Sequence, residues 1–166
     1  MLLVVVAALV IVVASVVIVR AMGRGVAVVV MALAGGAVAL QPALNAGLSR
    51  ATGQLPAALV SFLVGALAIG AVVILSGQVS GLVDAGDVRW YYLLGGLCGA
   101  VWITTSLIAI ESLGAGGVVA ATITGQLTGA VVADRLGILG LQETPITVGR
   151  ALGVFLLIAG TYLVVR

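Results

Sequence analysis

Residues 55–75 read LPAALVSFLVGALAIGAVVIL, and this stretch decides the fold. It carries no charge, and Ser61 is its one polar side chain. A bilayer core of about 30 Å takes roughly 20 apolar residues of α-helix. Backbone groups in hydrocarbon have no water to bond, so a lone run of this kind crosses as a helix. Working outward with the same ruler gives a span at 26–48 before it and spans at 90–110, 113–133 and 146–165 after it. A sixth candidate lies at 2–19. The connections at 20–25, 49–54, 76–89 and 134–145 hold most of the charges and turn residues. Glu111–Gly117 forms the tightest link, with Gly114, Gly116 and Gly117 suited to a hairpin.

Composition agrees with this reading. Of 166 residues, 63% are hydrophobic and 7% charged, with a mean hydropathy of +1.41. Soluble domains carry about 25% charged residues, so the outer solvent must be lipid. All seven basic residues are Arg, at 20, 24, 50, 89, 135, 150 and 166; the acids are Asp84, Asp87, Glu111, Asp134 and Glu143. A net charge of +2, scattered, offers no nucleic-acid surface. The lone Cys98 excludes a disulfide framework, and a chain without His lacks the usual zinc and haem ligands. Neither a metal nor a cofactor is expected.

No basic residue precedes the 2–19 run, which is too long for a signal peptide and is followed by Arg20 and Arg24. It reads as a retained helix. If spans alternate, Arg20, Arg24, Arg89, Arg135 and Arg150 fall on one side and Arg50 and Arg166 on the other. The positive-inside rule then places the first group in the cytoplasm. Trp90, Tyr91 and Tyr92 suit an aromatic belt at the membrane surface, and Trp102 suits the core.

Polar residues at membrane depth are costly, so they are the functional candidates. Gln41 and Asn45 stand four apart on one helix face, and Pro42 between them removes a backbone donor. The pair serves either as interhelical glue or as a solute-facing patch. Gln126, deep in the fifth span, carries the same two readings. Ser61, Thr104, Thr105 and Ser106 are weaker, because Ser and Thr hydroxyls can bond their own helix backbone. Glu111, closing the fourth span, is either a proton-coupling carboxylate or a solvated interfacial group. Asp134 can pair with its neighbour Arg135 or with Arg150 at an interface. No nucleophile–base pair, phosphate loop or catalytic carboxylate pair is legible, so an enzyme is not expected.

Six stretches, in this order, carry a family likeness. They are Leu40-Gln41-Pro42-Ala43-Leu44-Asn45-Ala46, Val60-Ser61-Phe62-Leu63-Val64-Gly65, the run from Trp90-Tyr91-Tyr92 to Cys98-Gly99-Ala100, Gly125-Gln126-Leu127-Thr128-Gly129, Asp134-Arg135-Leu136-Gly137 and Arg150-Ala151-Leu152-Gly153. Together they resemble the YdcZ-like branch of the drug/metabolite transporter superfamily, over about residues 26–166. The resemblance implies an all-α integral membrane protein: a five-helix unit at 26–166, equivalent to half of a ten-helix transporter, after an extra helix and short loop at 1–25. Larger relatives hold substrate between inverted repeats, so a single unit implies a homodimer or a paralogue heterodimer. The family's polar positions fall on Gln41, Asn45, Ser61 and Gln126, which would bind the substrate. The expected function is an inner-membrane transporter, exporting a small metabolite, drug-like or lipid-like solute. The alternative is an accessory or structural membrane subunit with no transport cavity of its own.

Overall fold

Gly53 turns the chain in one residue. At φ 88° and ψ 164° it occupies backbone space that is essentially closed to other residues, and its N–H donates to Ser49 O at 2.8 Å. The expected loop at 49–54 therefore shrinks to this glycine, between α2 (Gln41–Thr52) and α3 (Gln54–Leu75). Pro56 sits in the first turn of α3, where a missing N–H costs nothing. The computed structural model describes residues 23–166, so the expected span at 2–19 lies outside the described residues. Ahead of α2 runs α1 (Arg24–Ala39). Pro42 cannot donate to the carbonyl four residues back, and the helix breaks at Leu40, whose N–H reaches Ala37 O at 3.2 Å.

After α3 come a short helix α4 (Ser80–Asp84), a 3₁₀ turn (Trp90–Leu93), the long α5 (Leu94–Leu136), a second 3₁₀ turn (Ile138–Gly140) and α6 (Val148–Val165). Thr147 caps α6, accepting from the Arg150 N–H at 3.3 Å, which starts this helix two residues later than its hydropathy does. Among the described residues there is no strand. Four helical runs are long and apolar enough to cross a membrane: Gly25–Thr52, Gln54–Leu75, Trp90–Leu136 and Val148–Val165. The spans expected at 90–110 and 113–133 fall inside the third run, which breaks at Gly114 (φ 66°, ψ 172°) within the expected link.

Large apolar side chains are exposed throughout: Leu33 is 71% accessible, Leu67 73% and Leu163 73%. Water would not tolerate such a surface, whereas lipid requires it. The described residues divide into two compact units, one ending at Leu107 and the other running Ile108–Arg166.

In the first unit, α2 and α3 pack together. Ala57 and Ala58 lie buried with Ile103 and Leu107 from α5, and Leu48 and Trp102 cover this cluster. The small Ala pair brings α3 close to its neighbour, the packing that membrane helices rely on. In the second unit, residues 115–136 run antiparallel to α6. The Thr124 and Thr161 hydroxyls stand 2.6 Å apart, with Leu157 O 3.3 Å from Thr124 Oγ1 and Ala120 O 3.1 Å from Thr161 Oγ1. Arg150 Nη1 donates to Asp134 Oδ2 at 3.3 Å, choosing between the two partners expected for Asp134.

Candidate functional site

Helix α3 presents Ser61, Phe62, Gly65, Ala66 and Ile69 along one stripe, linked by the three- and four-residue spacings that share a helix face. With Gln41 from the start of α2 and Ile103 from α5, they line a cavity of about 340 Å³ within the first unit. Its two polar groups are the Gln41 amide and the Ser61 hydroxyl; the rest is apolar. Within the described residues no hydrogen bond engages either group. Phe62 leans on Gly99: a Cβ built there would stand 3.1 Å from the ring's Cζ. Gly99 thus leaves the room that the ring of this wall occupies.

One turn along from Gln41 on the same face, Asn45 is 5% accessible, and its Nδ2 has no partner among the described residues. A buried donor without a partner is costly, about 1–3 kcal/mol. Native chains keep few such groups without a reason such as a bound ligand or water.

The structure thus brings Gln41 and Ser61 to one cavity and sets Asn45 on the same face as Gln41. Gln126 is exposed on the 115–136 segment of the second unit, and Glu111 is exposed in that unit as well. Neither lines the cavity. Thr105 and Ser106 bond their own helix, to Val101 O at 2.7 Å and to Ile103 O at 2.8 Å, which accounts for them as the sequence led one to expect. Phe62, Gly65, Ala66, Ile69 and Ile103 went unnoticed in the sequence because an apolar residue on a membrane helix reads as packing. The signal available was positional, since Gly65 and Ile69 repeat Ser61 at intervals of four.

The arrangement suits reversible binding. An amide and a hydroxyl can each donate and accept, and apolar walls around a few polar groups are the usual make-up of small-molecule sites. A family model described as "Putative inner membrane exporter, YdcZ" matches residues 26–163. No curated protein and no solved structure matches the chain. The family match spans the described membrane helices and both candidate polar groups of the cavity. The chain is therefore a member of the YdcZ family of the drug/metabolite transporter superfamily, and its place is the inner membrane, which it crosses several times.

Proposed function

We propose that this protein exports a small solute across the inner membrane, and that the cavity lined by Gln41 and Ser61 is where the solute binds. The observation that carries this reading is the meeting of two polar groups, unengaged among the described residues, with apolar walls in a segment of membrane character. The family description supports the direction of transport. An accessory subunit would need no such cavity.

The proposal includes six membrane spans. The 47-residue run Trp90–Leu136 would reach about 70 Å as one straight helix. That is twice the membrane core, so it crosses twice with its break at Gly114. The protein acts as a dimer of half-transporters, alternating access between the two sides. Gln126, in the second unit, is a separate candidate for solute contact there, because an amide facing hydrocarbon is left unpaired. Glu111 carries the coupling proton if transport depends on pH.

A thermal-shift screen of purified protein against small amides, amines, alcohols and lipid headgroups tests the binding claim. Wild type and a Gln41→Leu/Ser61→Ala variant are run side by side. Compounds that raise the melting temperature of the wild type alone are expected. Equal shifts in both proteins would remove the cavity from the account.

A further inference from the structure

The cavity sits in a unit with little charge. The acidic and basic residues of its described part are Arg24, Arg50, Asp84, Asp87 and Arg89. Arg24 opens α1, and Arg50 lies in the last turn of α2. Asp84 ends α4, and Asp87 and Arg89 follow it before the 3₁₀ turn. Arg50, Asp84, Asp87 and Arg89 do not line the cavity, α3 carries no charge along its 22 residues, and the start of α5 up to Leu107 carries none.

An ion held against these walls at membrane depth exchanges its hydration for lipid and meets no counter-charge among the described lining residues, a transfer that proteins avoid unless the ion is paired. Phe62 offers a single ring, whereas cation recognition by aromatic groups uses cages of several. A neutral molecule meets the opposite balance. The Gln41 amide and Ser61 hydroxyl satisfy one polar end, and Gly65, Ala66, Ile69 and Ile103 cover an apolar body.

We infer that the solute of this cavity is an uncharged small molecule with an apolar body and one hydrogen-bonding end of amide or alcohol type. The inference rests on the transport reading above and narrows it to a substrate class. It distinguishes this cavity from one built for cationic drugs, which needs a carboxylate at the site, and from one built for a lipid headgroup, which needs a group to meet the phosphate.

Benzamide, benzamidinium and benzoate share one shape and differ in charge, so they isolate this variable. Equilibrium dialysis against the full chain in nanodiscs, with empty nanodiscs as the blank, measures saturable binding of each. Benzamide should bind, and both ions should bind at least about tenfold more weakly. Gln41→Leu should abolish saturable benzamide binding, and Gln41→Glu should reverse the order in favour of benzamidinium. Either ion binding as tightly as benzamide, with dependence on Gln41, would overturn the uncharged-solute inference and leave the cavity as the site. Benzamide binding that ignores Gln41 would remove the cavity itself, and saturable binding by none of the three would overturn both. A phosphatidylethanolamine headgroup analogue that competes with benzamide would place a lipid in the cavity and overturn the inference.

Discussion

At the residue scale, Asn45 and Gln41 divide the roles that polar groups play in a membrane helix. Asn45 is buried, and its Nδ2 has no partner among the described residues, so an apolar residue of similar size removes a penalty. Asn45→Leu should leave the fold intact and stabilise it by about 1 kcal/mol, read from reversible unfolding in detergent. A loss of that size would show that the amide is engaged. Gln41 and Asn45 were legible in the sequence because amides are rare enough in apolar runs to stand out. Ser61 was legible only weakly, since sequence alone cannot tell a hydroxyl that bonds its own backbone from one that faces a cavity. Thr105 and Ser106 did the former; Ser61 lines the cavity. The Thr124–Thr161 contact was hidden for a related reason: the two residues are 37 apart in the chain, and helix periodicity does not report which faces meet.

At the scale of elements, hydropathy located the membrane helices but placed their ends poorly, because ends are set by backbone geometry. The helix predicted at 26–48 breaks at Leu40 and continues to Thr52, and the predicted loop after it is Gly53 alone. Gly114 governs the break in α5. A Cβ there would meet nothing within 4 Å, so the cost of Gly114→Ala is purely conformational, about 1–3 kcal/mol. Gly125 is equally open but helical. There the same substitution should be neutral or stabilising by up to about 1 kcal/mol. Measured together, the melting temperature of Gly114→Ala should fall while that of Gly125→Ala holds or rises. A Gly114→Ala protein as stable as Gly125→Ala would mean that the break is not fixed by this glycine.

At the scale of the whole molecule, the first unit holds a cavity, whereas larger transporters built from repeats hold substrate between the two repeats. We propose that two copies, or this chain and a paralogue, complete the transporter. Cross-linking differently tagged copies in native membranes should trap a dimer, and a strictly monomeric protein that still transports would refute the half-transporter argument. The sequence gives composition and order but no partner surface, which is why assembly is its least legible level. Passage of solute through the cavity at Gln41 and Ser61 can be measured by counter-transport in proteoliposomes, using the compound that best stabilises the purified protein and comparing wild type with Gln41→Leu at matched incorporation. The wild type should show protein-dependent exchange and Gln41→Leu only the protein-free level, with the variant's fold and melting temperature retained. Equal exchange by the two proteins would contradict passage through this cavity.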